Sequence, residues 1–312
     1  MTDKDIISIK NFKLSFGNKE IIRGLSFNVK KGEIFGFLGS NGSGKTTTIR
    51  ALLGIYQADS GELLINGEEF SPERIGTIGY LPEERGLYKK EKVIDVMQYF
   101  GRLKGLSKKE AQEFSKKYLK RVGLEDKANS NIDKLSGGQQ QKIQLGITIM
   151  GKPEILILDE PTCGLDYKEC MVVMQAVEEL REKGCAVLMV CHDMEVVSDF
   201  ATRVIVMTQG SIIADGPLAD VFAQDDIMRA AAVMPPQVTQ VARVLSKHVD
   251  SAYTGLTKVS EIAKMTERIV RDAKNRSAAA RFVEAATAEH AQKNRRQNQA
   301  VTDTFEEMPD DK

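Results

Sequence analysis

Two groups of residues carry chemistry by type and spacing. The first is Gly39-Ser40-Asn41-Gly42-Ser43-Gly44-Lys45-Thr46, followed by Thr47, which satisfies G-x-x-x-x-G-K-[ST] at every fixed position. Its glycines let successive backbone N–H groups turn inward on a highly charged phosphate chain. Lys45 can then reach the terminal phosphates, and the Thr46 hydroxyl can hold a Mg²⁺ ion. The second is Ile155-Leu156-Ile157-Leu158-Asp159-Glu160, an apolar run ending in two adjacent carboxylates. Asp159 suits a metal ion, directly or through water, and Glu160 suits a general base for water attacking a γ-phosphate. The blander alternatives are an ordinary glycine-rich turn and a surface acidic pair.

Both groups need a scaffold. The run Ile34-Phe35-Gly36-Phe37-Leu38 reads as a strand and Thr47–Leu53 as a helix, so the glycine loop sits at a helix N-terminus, where the dipole favours anions. The unbroken apolar run Ile155–Leu158 reads as a strand buried on both faces of a parallel sheet. Ligands in open α/β sheets lie at the carboxyl ends of strands, which predicts that Asp159 and Glu160 stand beside the loop.

Upstream, Ile7/Ile9, Phe12/Leu14/Phe16 and Leu25/Phe27/Val29 alternate with polar residues as strands do, with turns at Gly17-Asn18 and Lys31-Gly32. Phe16 is expected in a loop before the second strand, where an aromatic ring can pack or stack on a base. Short strands follow at Glu62–Asn66 and Ile78–Leu81, the latter ended by Pro82. From Val93 the period becomes helical (Val93, Val96, Met97, Phe100, Leu103), and a second, charged helix covers about 108–122. Helices over 143–149, about 167–183 and about 193–201 alternate with a strand at Ala186–Val190, before a hairpin around Gly210. The expectation is an α/β fold, a mixed sheet with an N-terminal antiparallel β subdomain and a helical insert at about 93–135. The main domain is expected over 1–225, a helical extension over 226–276 and a flexible tail over 277–312. That tail is Ala- and Gln-rich, then acidic from Asp303, and its Lys293/Arg295/Arg296 cluster reads as a solvated helix face.

Composition narrows the classes. Lys+Arg and Asp+Glu are equal at 44 each, so no global basic charge points to nucleic acid. The 42% hydrophobic content supports a sizeable core. Cys163, Cys170, Cys185 and Cys191 show no C-x-x-C spacing, which suits buried free thiols in a reducing compartment. Cys191 and His192 are neighbours, but adjacent side chains in a strand point to opposite faces, which argues against a shared metal. The N-terminus does not look like a signal peptide, and no stretch approaches the roughly 18 apolar residues of a membrane span. A soluble protein is expected, with any membrane role supplied by a partner.

Further motifs fall in order: Leu135-Ser136-Gly137-Gly138-Gln139, Gly164-Leu165-Asp166, and His192 within Val190-Cys191-His192-Asp193. With them, residues 4–225 resemble the ATP-binding cassette (ABC) ATPases, a class of P-loop NTPases; Cys163 stands where Ser or Ala is usual. The resemblance implies two such domains meeting head to tail, with ATP between the phosphate loop of one and the signature loop of the other. Ser136, Gly138 and the N-terminus of the following helix would approach the γ-phosphate in trans, and Gln139 and Asp166 would be further nucleotide-binding residues. His192 would contact the γ-phosphate and Phe16 would stack on the base. Catalysis would fall to Glu160, His192 and Lys45, and Mg²⁺ to Thr46, Asp159 and Glu83.

Glu83 is a departure, because the family has Gln there. The run Leu81-Pro82-Glu83-Glu84-Arg85-Gly86-Leu87-Tyr88 is similar to that of exporter-type ATPases of sodium or drug efflux. His192-Asp193-Met194-Glu195 and the segment from Ala214 to Val238 instead resemble the energy-coupling-factor ATPases. The implied function is the ATP-binding and ATP-hydrolysing subunit of a membrane transporter. Its expected partners are a permease and a second ATPase subunit, on the cytoplasmic face of the cell membrane, with no nucleic acid. The rival is a soluble ABC-type ATPase acting on ribosomes or nucleic acid; such proteins usually carry two cassettes or a long coiled-coil insert. A non-hydrolysing regulatory module is a third reading, against which Glu160 and His192 argue.

Overall fold

The computed structural model describes residues 5–84 and 86–273. Arg85, the Ala- and Gln-rich stretch, the Lys293/Arg295/Arg296 cluster and the acidic end lie outside the described residues. The chain forms two compact units, one through Gln237 and one from Val238.

In the first unit, β1 (Asp5–Phe16), β2 (Lys19–Lys30) and β3 (Ile34–Gly39) lead to α1 (Lys45–Leu52). Then come β4 (Ser60–Ile65), β5 (Ile78–Leu81), α2 (Val93–Leu103), α3 (Lys108–Arg121) and α4 (Gly137–Ile149). The pattern continues with β6 (Ile155–Asp159), α5 (Tyr167–Glu182), β7 (Ala186–Val190), α6 (Met194–Phe200), β8 (Arg203–Thr208) and β9 (Ser211–Pro217). Two short helices, α7 (Leu218–Phe222) and α8 (Asp225–Ala230), follow. The central sheet has the order β5-β6-β7-β3-β8-β9, parallel except for β9, and β2-β1-β4 form a separate antiparallel sheet.

The central sheet is the middle layer. Alternate residues of its strands face opposite ways. Leu38, Leu156 and Leu158 pack with α2, α4 and α5, whereas Phe35, Phe37, Ile155 and Ile157 pack with β1, β2 and α1. All residues of β3, β6 and β7 are buried, which is why their sequences run apolar without alternation.

β1 is one strand in which the inward phase switches from Ile7/Ile9 to Phe12/Leu14. The register shifts between Ile9 and Phe12, and Asn11 takes φ 49° there. The irregularity turns both apolar pairs inward, and Asn tolerates the left-handed conformation. Phe16 closes this strand instead of lying in a loop, paired with Lys19.

The insert helices α2 and α3 dock on α4. Tyr118 Oη donates to Lys142 O at 2.8 Å. Lys104 caps the far end of α4, its Nζ donating to Ile147 O at 2.7 Å, Thr148 O at 2.6 Å and Met150 O at 3.3 Å. These carbonyls would otherwise be orphans of the helix terminus.

The second unit contains α9 (Gln237–His248), which begins at the boundary, and α10 (Val259–Ala273). The Glu261 carboxylate accepts from the N–H groups of Thr257 and Lys258, and Tyr253 Oη bonds Thr266 Oγ1 at 3.0 Å. Among the described residues no helix is long and apolar enough to cross a membrane.

Candidate active site

The glycine loop leaves β3 at the carboxyl edge of the central sheet and enters α1. Gly39 has φ 145°, and a Cβ there would lie 2.1 Å from Met207 O of β8, so only glycine lets the chain turn off the sheet at this point. Lys45, the first residue of α1, folds back along the loop. Its Nζ donates to Gly39 O at 2.7 Å, Ser40 O at 3.0 Å and Ser43 Oγ at 3.4 Å. Burial pulls the Lys45 ammonium below its ordinary range, and the carboxylates of Glu160, Asp159 and Glu83 oppose that shift. Ser43 O in turn accepts from Gly210 N at 3.0 Å, so the turn between β8 and β9 braces the loop.

Parallel pairing of β6 with β7, and of β7 with β3, brings Asp159 and His192 to the same edge. Asp159 is buried and accepts from Thr46 Oγ1 at 3.2 Å. Burial pushes its carboxyl up; the Thr46 hydrogen bond works against this, and the Glu83 charge adds to it. Glu160 takes φ 54°, a left-handed conformation costing a non-glycine residue about 1 kcal/mol. Its N–H donates to Val190 O at 2.9 Å, and its carbonyl accepts from Gln141 Nε2 at 3.0 Å. Oε2 accepts from the His192 backbone N–H at 3.2 Å. Oε1 is buried, has no hydrogen-bond partner among the described residues and lies 3.5 Å from His192 Nε2. Burial pushes the Glu160 carboxyl up to about 7. The His192 imidazole is held below its ordinary range, by burial and then by the Lys45 charge.

These groups line one cleft of about 360 Å³: Asn41, Gly42 and Gly44–Thr47 of the loop, with Glu83, Asp159, Glu160 and His192. Gly39, Ser40 and Ser43 lie behind it, as the acceptors that seat Lys45. Phe16 lies outside the cleft; it is exposed, with the edge of its ring against Tyr56 at 5.2 Å between centroids. Ser136, Gly138, Gln139 and Asp166 are outside it as well. Ser136 Oγ accepts from Gln139 N at 3.2 Å while Gln139 Oε1 accepts from Ser136 N at 3.0 Å, a reciprocal cap on α4. Asp166 caps α5 by accepting from Glu169 N at 2.8 Å. A Cβ on Gly138 would lie 2.4 Å from Gly164 O, so the Ser136 and Asp166 loops abut within one chain.

Residues 22–163 match the family model for the ABC transporter domain. Over 218 residues the chain is 38% identical to an ABC transporter ATP-binding protein of Methanocaldococcus jannaschii, covering 70% of this chain and 80% of that protein. The chain belongs to the ABC transporter ATP-binding proteins. It is 36% identical over 222 residues to the linearmycin resistance ATP-binding protein LnrL of Bacillus subtilis, covering 70% and 71%. Among solved structures, an ATP-binding subunit of an ABC transporter shares the fold at 24% identity, with a TM-score of 0.66 over 73% of this chain and 96% of that one. CbiO1 of Clostridium perfringens, part of the transporter complex CbiONQ, aligns at 25% identity and a TM-score of 0.63, covering 80% and 98%.

The fold is thus that of an ABC ATPase, and the enzyme hydrolyses ATP. A Mg²⁺ ion fits the donor set, because the Thr46 hydroxyl and the Asp159 and Glu83 carboxylates are all hard oxygen donors on one cleft and could hold it. Two residues of the site's support are not marked by any motif: Gln141, which holds the Glu160 carbonyl, and Lys104, which ends α4. Gln141 stands in the polar run Gln139-Gln140-Gln141-Lys142, ahead of the apolar stretch 143–149 that reads as helix, so its type and spacing do not single it out.

Proposed function

We propose that this ABC ATPase is the ATP-hydrolysing subunit of a membrane transporter, working as a pair of cassettes on a separate permease. The loop amides and Lys45 hold the phosphates at the N-terminus of α1. Glu160 takes the proton of the attacking water, and His192, whose backbone fixes one Glu160 oxygen, faces the γ-phosphate. Thr46, Asp159 and Glu83 are the residues that would hold Mg²⁺, which would supply positive charge against that developing on the phosphates.

One observation carries the paired arrangement. Ser136, Gly138 and Gln139 sit at the N-terminus of α4 yet outside their own chain's cleft, which supports their acting on the nucleotide of a second cassette. ATP then favours the closed pair and hydrolysis the open one, a population shift that can drive a membrane subunit. The absence of a membrane-spanning helix among the described residues is compatible with a peripheral subunit at the cytoplasmic face.

The test is purification of the tagged protein from membranes and from the soluble fraction. Recovery with a multi-span membrane protein supports the transporter reading. Recovery with ribosomes or DNA instead overturns it in favour of a soluble ATPase. Sedimentation of Glu160→Gln with and without Mg·ATP tests the pair, which requires dimer to appear with nucleotide.

A further inference from the structure

Helix α4, capped by Ser136, runs buried against β5 and β6. Its polar residues Gln141, Gln144 and Thr148 recur at i, i+3 and i+7, and therefore share one face. All three are nearly inaccessible, and each bonds backbone of β5 or of the turns just beyond β5 and β6. Gln141 Nε2 donates to Glu160 O at 3.0 Å and to Pro161 O at 3.3 Å. One turn on, Gln144 Nε2 donates to Glu84 O at 3.2 Å. Thr148 Oγ1 reaches Tyr80 O at 3.4 Å and Gln144 O at 2.9 Å. The contact is close throughout: a Cβ on Gly79 of β5 would lie 2.6 Å from Thr148 O.

Two of the backbone sites held this way adjoin carboxylates of the cleft. Gln141 holds Glu160 itself. Gln144 holds the residue after Glu83, and Glu83 lines the cleft with Thr46 and Asp159. Packing does not account for the Gln144 amide. Its Oε1 is buried without a hydrogen-bond partner among the described residues, a cost that an apolar side chain of the same size avoids. What the amide supplies is the donor to Glu84 O.

We propose that Gln144 is a positioning residue for Glu83, fixing the turn after β5 to the helix that starts at the signature residues. The inference rests on the reading of Glu83 as a Mg²⁺ ligand. Gln144 touches neither nucleotide nor metal and acts through the Glu83–Glu84 backbone.

A double-substitution cycle of Gln144→Met and Glu83→Ala tests it. The readouts are the affinity for N-methylanthraniloyl ATP with and without Mg²⁺, steady-state hydrolysis, and the melting temperature of each protein. Expected is a several-fold loss of the Mg²⁺-dependent gain in affinity in each single variant, unchanged binding without Mg²⁺, and no further loss when Gln144→Met is added to Glu83→Ala. Additive losses, or a Gln144→Met protein with an unaltered Mg²⁺ response, overturn the proposal. A silent Glu83→Ala sinks the metal reading of Glu83 itself, and with it this inference, and is recognised from that single variant. If Gln144→Met does not fold, Gln144→Leu replaces it in the same cycle.

Discussion

His192 and Glu160 are joined through the backbone of one and the carboxylate of the other. The His192 N–H donates to Glu160 Oε2 at 3.2 Å, while the imidazole Nε2 stands 3.5 Å from Oε1. One oxygen is thereby fixed and the other has no hydrogen-bond partner among the described residues. A Gln at position 160 keeps an oxygen to accept from His192 N–H but cannot take a proton. Glu160→Gln should therefore retain ATP binding and lose turnover by about 10²- to 10⁴-fold. Phosphate release and nucleotide binding measured on one preparation check this, and undiminished hydrolysis removes Glu160 as the base.

Lys45 has two tasks that one substitution removes together. Its ammonium ties Gly39 O and Ser40 O together, and it supplies the positive charge nearest the loop. Lys45→Ala should lower nucleotide affinity by about tenfold or more, since a charge-assisted contact to phosphate and the loop's anchor vanish together. Titration with a fluorescent ATP analogue decides it. Unchanged affinity places the nucleotide elsewhere.

The loop and the strand-end carboxylates were legible because their chemistry is local: glycines for tight turns, an unbroken apolar run for a strand buried on both faces. The phase switch from Ile9 to Phe12 was also in the sequence, although only the sheet register shows it to be an irregularity within a single strand. What could not be read were contacts across long separations. Lys104 meeting Ile147 O and Gln144 meeting Glu84 O are side chain to backbone bonds, and any sequence offers backbone carbonyls everywhere. The family resemblance implies nucleotide contacts for Ser136 and Asp166; within one chain they are helix caps, a role that their Ser-x-x-Gln and Asp-x-x-Glu spacing also encodes.

Lys104 gives a pH signature. Burial pulls its ammonium down to about 8 from an ordinary 10.5. Between those values the unfolded chain holds a proton that the folded chain has released, so stability from this group rises with pH. The cost of burying the charge is full below about 8 and gone above the ordinary value. It is at most about 3.5 kcal/mol, and the three carbonyl acceptors, which favour the charged form, reduce it. Urea unfolding of wild type and Lys104→Met from pH 7 to pH 10 should show the wild type gaining relative to the variant. Parallel curves exclude the buried ammonium as the cause.

The cysteines divide by burial. The cysteine spacing suits buried thiols, yet Cys163 is exposed, at the turn before Gly164–Asp166. Burial pushes Cys170 up to about 11 and Cys185 and Cys191 up to about 12, which leaves them as unreactive thiols. A thiol reagent at neutral pH should modify Cys163 quickly in the native protein and the other three only on unfolding. The same thiol reports on the proposed pair. In Glu160→Gln, Mg·ATP should trap two cassettes with the Ser136 and Asp166 loops facing the partner, and so slow Cys163 modification several-fold. A rate that Mg·ATP leaves unchanged, in a variant shown to bind nucleotide, argues that this face does not meet a second cassette.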